Sequence, residues 1–85
     1  MPILSRFFGI IIAMYWREHA PAHFHAKYQD QEVIVEIETG KVTGHISRRA
    51  LSMIEEWRKL HKEELLNDWR LAEKNKPLKR IEPLG

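Results

Sequence analysis

The chain has 85 residues, 44% of them hydrophobic, with 14 basic against 12 acidic side chains and no cysteine. This length buries one modest core and excludes a second domain. The lack of cysteine excludes disulfide staples, thiolate metal cages and a cysteine nucleophile, and fits a reducing cytoplasm. A formal charge of +2 is too small for bulk electrostatics to hold nucleic acid, so any basic surface must be local.

Arg6 precedes a nearly continuous apolar run from Phe7 to Tyr15, as the hydrophobic centre of a signal peptide would be preceded. The run falls well short of the roughly 20 residues a membrane-spanning helix needs, and Arg17, Glu18 and His19 follow at once. It is read here as part of the fold, with no membrane segment. Ile10, Ile11 and Ile12 are β-branched, which predicts a strand buried on both faces, and Gly9 marks a bulge or a close backbone approach.

Three of the five histidines fall between His19 and His25. Pro21 disfavours a helical Ala20, so the chain enters an extended segment there and continues as a strand through Tyr28. Alternation then puts Ala22, Phe24, Ala26 and Tyr28 on an apolar side and His23, His25 and Lys27 on the other. Val33, Val35 and Ile37 alternate in the same way in a second strand. A turn at Asp30 and Gln31 pairs Ala26 with Val35 and Phe24 with Ile37. It also sets His25 across from Glu36 and His23 across from Glu38. Thr39, Gly40 and Lys41 are a further turn signal, and Val42 to Ile46 is a third hairpin strand or an irregular passage.

Ser47 is a helix cap, and Ala50, Ile54, Trp57, His61, Leu65, Trp69 and Ala72 follow at helical spacing. One unbroken helix from Arg48 to Lys74 would be roughly 40 Å long, too long for a chain whose radius of gyration should be near 12 Å, on the order given by compact domains. A break is therefore expected between Leu60 and Lys62. Trp16, Trp57 and Trp69 are expected as core or interface anchors, and His61 as a packed or capping histidine. Arg48 and Arg49 oppose the helix dipole in the first turn, a slight hint of an anionic partner. Lys76 to Gly85 forms an extended tail that packs on the body or on a partner.

The polar strand face concentrates the candidate chemistry. One imidazole of His23 and His25 takes the 2'-hydroxyl proton of RNA, another group protonates the leaving oxygen, and Lys27 or Arg6 offsets the phosphorane charge. Glu36 orients His25, while Arg6, His19 and Glu38 are binding candidates. The activity needs no cofactor on this reading. A second reading is a zinc site in which His19 joins His23 and His25. The same residues also fit solvated surface histidines paired with glutamates.

Met-Pro-Ile-Leu-Ser-Arg-Phe-Phe-Gly-Ile at the start, Pro21 to Tyr28, Ile37 to Gly40, Glu56-Trp57 with His61 and Glu64-Leu65, Asn67 to Trp69, and Ile81 to Leu84 together resemble the small bacterial family called domain of unknown function 4160. The family's activity is not established, so the resemblance transfers no catalytic residue. It implies a second small protein encoded nearby, as in a toxin and antitoxin pair. The expected architecture is a single α+β domain over residues 1–85: a β-rich half to residue 46, a helical half over 47–75 and the tail over 76–85. A small antiparallel sheet of three to four strands carries two helices on one face. The expected function is that of a toxin-like, cytoplasmic component acting on RNA, and the alternative is a non-enzymatic module, antitoxin or regulator, docking onto the small partner.

Overall fold

In the computed structural model, which describes residues 2–85, the apolar run at the amino terminus divides between the two arms of a hairpin. Strand β1 (Ile3–Phe7) and strand β2 (Ile10–Ala13) pair antiparallel around Phe8 and Gly9, whose φ angles are 49° and 80°. Two successive left-handed residues twist a tight turn in the same sense as the strands it joins. Gly9 is thus a turn residue, and the irregularity in pairing lies inside β1, between Ile3 and Ser5.

Strands β3 (His23–Tyr28), β4 (Gln31–Glu36) and β5 (Val42–His45) complete a five-stranded antiparallel sheet in the order β1-β2-β3-β4-β5. This corrects the expected three to four strands: Ile3–Phe7, which lies almost entirely ahead of the apolar run, forms a strand of its own that the Phe8–Gly9 turn folds back onto β2. The β3–β4 pairing also differs from expectation. The turn is Gln29–Asp30, with Gln29 at φ 56°, so Phe24 faces Val35, His25 faces Ile34, Lys27 faces Glu32 and His23 faces Glu36. A shift of two residues keeps every side chain on its expected face. The core is unaffected, while every polar partner across the strands changes.

Ser47 caps helix α1 (Arg48–Leu60), its hydroxyl accepting from the Ala50 N–H at 3.2 Å. The expected break falls at His61, and helix α2 (Lys62–Glu73) follows. Ala50, Ile54 and Trp57 of α1 join Leu65, Trp69 and Ala72 of α2 in one core with Leu4, Ile10, Ile12, Phe24, Ala26, Val33 and Val35. Trp57 is fully buried and meets Phe7 and Phe24 with ring centroids 5.5 and 5.8 Å apart. The radius of gyration is 11.6 Å, near the expected value.

Buried Arg58 ties the β4–β5 connection to α1: its guanidinium donates to the Ile37 carbonyl at 2.7 Å and pairs with Glu55. That pairing pulls the Glu55 carboxyl below its ordinary pKa and raises that of Arg58. Gly40, at φ 80°, passes so close that a Cβ there would lie 2.8 Å from Arg58 Nη2.

The tail packs back on the body. Ile81 is buried and donates its N–H to the Leu4 carbonyl at 2.8 Å, Trp57 Nε1 donates to the Glu82 carbonyl at 2.8 Å, and the Lys79 N–H donates to Asp68 Oδ1 at 2.9 Å. Trp16, expected as a core or interface anchor, lies outside the core. It is 39% exposed, and its Nε1 donates to the Lys76 carbonyl at 2.9 Å, so it anchors the start of the tail. Among the described residues no helix is long and apolar enough to cross a membrane.

Candidate functional site

Alternation along β3 turns Phe24 and Ala26 into the core and leaves His23 and His25 on the opposite side. The two rings lie 5.5 Å apart between centroids. Trp69 of α2 stands 5.0 Å from His23, and Tyr15, beyond the end of β2, meets His25 edge-on at 4.5 Å. These aromatic walls leave the histidine side chains only 12% and 10% exposed.

The connection from β2 to β3 supplies the group that joins them. Arg17 takes a left-handed conformation at φ 60°, and the chain then brings Glu18 back over β3. A single carboxylate oxygen, Glu18 Oε1, lies 2.9 Å from His25 Nε2 and 3.1 Å from His23 Nε2. The remaining ring nitrogens are also engaged. His23 Nδ1 is 2.9 Å from the Pro21 carbonyl oxygen, and His25 Nδ1 is 3.3 Å from Glu32 Oε2.

All four ring nitrogens therefore face oxygen acceptors. A carbonyl oxygen only accepts, so His23 carries its proton on Nδ1 and directs Nε2 at Glu18. His25 has a carboxylate at each nitrogen. A neutral imidazole offers one N–H and one lone pair. Each ring is matched to its surroundings only when a second proton, or another cation, stands between Nε2 and Glu18. The cluster is thus built to hold positive charge between two imidazoles and a carboxylate.

A shallow depression of about 310 Å³ opens beside it, lined by His25, Glu32, Ile34 and Thr43 among others. Strand pairing places Arg6, Ile11, Lys27, Glu32 and His45 in one row across all five strands, next to the row of Ala13, His25, Ile34 and Thr43. Arg6 and Lys27 thus share a row one step from His25, and Arg6 is exposed.

The structure brings His23 and His25 together as expected, but gives them different acidic partners. Glu36 stands across from His23 yet accepts from the Thr39 hydroxyl at 2.9 Å, so it does not orient His25. Glu38 is exposed in the turn after β4 and does not face His23. His19 is exposed and contributes no atom to the cluster. Glu18 and Glu32 take these places. Glu32 follows from the two-residue change of pairing, and Glu18 sits in an irregular connection where periodicity carries no information. His61 is structural, as expected: it packs on Trp57 at 5.5 Å, and its Nδ1 lies 2.6 Å from Glu64.

Residues 9–70 match the family model described as Domain of unknown function (DUF4160). That span includes every member of the cluster. No curated protein and no solved structure matches the chain.

Proposed function

Because the chain belongs to the DUF4160 family, whose name assigns no activity, we propose a function from the site itself: a toxin-like component of a bacterial two-protein pair that acts on RNA at Glu18, His23 and His25. The convergence of both imidazoles on one Glu18 oxygen carries this reading. Paired ring nitrogens held by fixed partners, beside an open depression, are what proton transfer or electrophilic assistance at a phosphodiester requires.

Cleavage of an RNA strand by internal transesterification forms a bond from O2' to phosphorus and breaks the bond from phosphorus to O5'. The proton leaves O2' and a proton reaches O5'. In the cluster the Glu18 carboxylate takes the proton from O2' and an Nε2–H of the imidazole pair gives one to O5', while Arg6 and Lys27 in the neighbouring row offer charge to the phosphate oxygens. RNA rather than DNA is the substrate on this mechanism, since the attacking hydroxyl is the ribose 2'-OH.

The test is incubation of the purified protein with RNA and with its 2'-deoxy counterpart. Cleavage of RNA alone, lost in the His23→Ala, His25→Ala protein, supports the reading. Intact RNA with the parent protein, together with growth inhibition unaltered by the double substitution, rejects it. A docking module for the neighbouring protein is the competing reading. It keeps the histidine face but not the tail, whose Ile81 and Glu82 are engaged with Leu4 and Trp57.

A further inference from the structure

We infer that Glu18, His23 and His25 form a binding site for one borderline divalent cation of the zinc type. The inference deepens the proposed activity and rests on reading this cluster as the working centre. One ligand atom from each of the three residues lies within 4.8 Å of the others. The Nε2-to-Oε1 separations of 2.9 and 3.1 Å are close to the ligand-to-ligand edge of about 3.4 Å that follows from tetrahedral zinc with bonds of about 2.0–2.1 Å. A small outward movement of Glu18, which is 30% exposed on an irregular connection, admits the ion.

The nitrogens away from Glu18 carry the inference further than proximity does. Metal-ligating histidines characteristically donate the other ring N–H to a backbone carbonyl or a carboxylate, which fixes the tautomer and turns the second nitrogen's lone pair to the ion. His23 has the first arrangement, with Nδ1 on the Pro21 carbonyl, and His25 has the second, with Nδ1 on Glu32. The Pro21 carbonyl presets His23 to present Nε2 as a lone pair; His25, with a carboxylate at each nitrogen, takes the same tautomer once a cation stands on its Nε2 side, and both Nε2 atoms aim at one place. Without a cation each Nε2 lone pair would face the same Glu18 oxygen, acceptor against acceptor, at 3.1 and 2.9 Å. A single dication accepts both lone pairs, leaves each Nδ1–H where it is, and satisfies Glu18.

Two imidazoles and one carboxylate select borderline first-row dications over calcium or magnesium, which prefer all-oxygen shells. Three protein ligands leave at least one position open, the pattern of catalytic and not of closed structural sites. With Glu18 and both Nε2 atoms on the ion these groups would no longer carry the proton transfer themselves; the ion would polarise a phosphoryl oxygen, and a hydroxide bound at its open position would take the O2' proton and become water.

The experiment strips the full-length protein with a chelator and titrates zinc against a chromophoric competitor. The expected result is one equivalent bound. Glu18→Gln and His23→Ala should weaken it by at least about 100-fold, and Glu32→Gln by about 10-fold, the scale of losing an outer partner; His19→Ala should leave it unchanged. Glu18→Gln removes no packing, which guards against a folding artefact. Ring nitrogen NMR of the parent protein gives a second readout: zinc should move the Nε2 signals of His23 and His25 while both Nδ1 protons persist. No tight equivalent, or Nε2 signals unmoved by zinc, overturns the inference. The two readings fail separately. One bound zinc without RNA cleavage removes the RNA activity and leaves the metal site. Cleavage by stripped protein whose rings ignore zinc removes the metal and leaves the activity.

Discussion

Glu18 reaches His25 across seven residues of chain, Oε1 to Nε2 at 2.9 Å, whereas Glu36, the carboxylate that pairing arguments favour, is held by Thr39. The two glutamates should therefore behave differently. Glu18→Gln keeps the shape of the side chain but removes its charge, and should lower RNA cleavage by about 100-fold or more, the usual size of a lost proton-transfer or charge-stabilising contact. Glu36→Gln should leave the rate within about twofold, since surface substitutions away from such contacts change little. Equal effects from the two, read as initial rates on one RNA, would place the working carboxylate elsewhere.

Much of this arrangement was legible in the residues, and the part that was not has a definite cause. Period-two alternation in β3 and β4 assigned every side chain to its face, and the apolar spacing after Ser47 located both helices and the break at His61. Parity, however, is blind to a shift of two. Ala26 and Phe24 find apolar neighbours in either pairing, and Tyr28, which meets Gln31 in place of the expected Val33, favours the wrong one, so the hydrophobic match could not identify the turn at Gln29–Asp30. The deciding feature was a left-handed Gln29, a conformation that glutamine does not advertise. Glu18 was hidden for a different reason. It lies in a connection whose path is set by Arg17 at φ 60° and by the Trp16 indole, which donates to the Lys76 carbonyl sixty residues on.

Gly40 should tolerate no side chain. Its φ of 80° costs a non-glycine residue on the order of 1–3 kcal/mol, and the new Cβ would press on Arg58 Nη2. Displacing that guanidinium also loosens the Ile37 carbonyl and Glu55. Gly40→Ala is expected to lower the urea midpoint by more than the backbone penalty alone requires. An unchanged midpoint would mean that Arg58 does not hold the β4–β5 connection.

Asp68 makes stability depend on pH. It is 1% exposed, with Oδ1 on the Lys79 N–H and Oδ2 without a partner. Burial raises its pKa, with a smaller push from Glu64, against the opposing Lys79 N–H and charge. For an acid with a raised folded pKa, the folded state holds the proton more tightly than the unfolded chain. Stability is then full below the ordinary value of about 3.9 and falls as pH rises toward the folded pKa. Asp68→Asn retains an acceptor for Lys79 and does not titrate. The melting temperature of Asp68→Asn relative to the parent should climb as pH rises above the ordinary carboxylate value of about 4. Glu55, lowered by Arg58, titrates in both proteins and cancels in the comparison. A difference that stays constant across the range would show that no proton is linked to folding at this position.

Truncation after Lys76 separates a tail that belongs to the fold from one that serves a partner. The cut exposes the cavity filled by Ile81, a side chain whose full burial contributes about 1.5–3 kcal/mol. It also strips the Glu82 carbonyl from the buried Trp57 indole, leaving an unpaired donor that costs about 1–3 kcal/mol. Asp68 loses its Lys79 N–H at the same time. Together these losses amount to at least about 3 kcal/mol, which for a domain of this size lowers the melting temperature by more than about 10 °C. Calorimetry on the truncated chain should show that loss without any partner present. A melting temperature within about 2 °C of the parent, a change worth well under 1 kcal/mol, would return the tail to the surface as a docking segment and undo its assignment to the core.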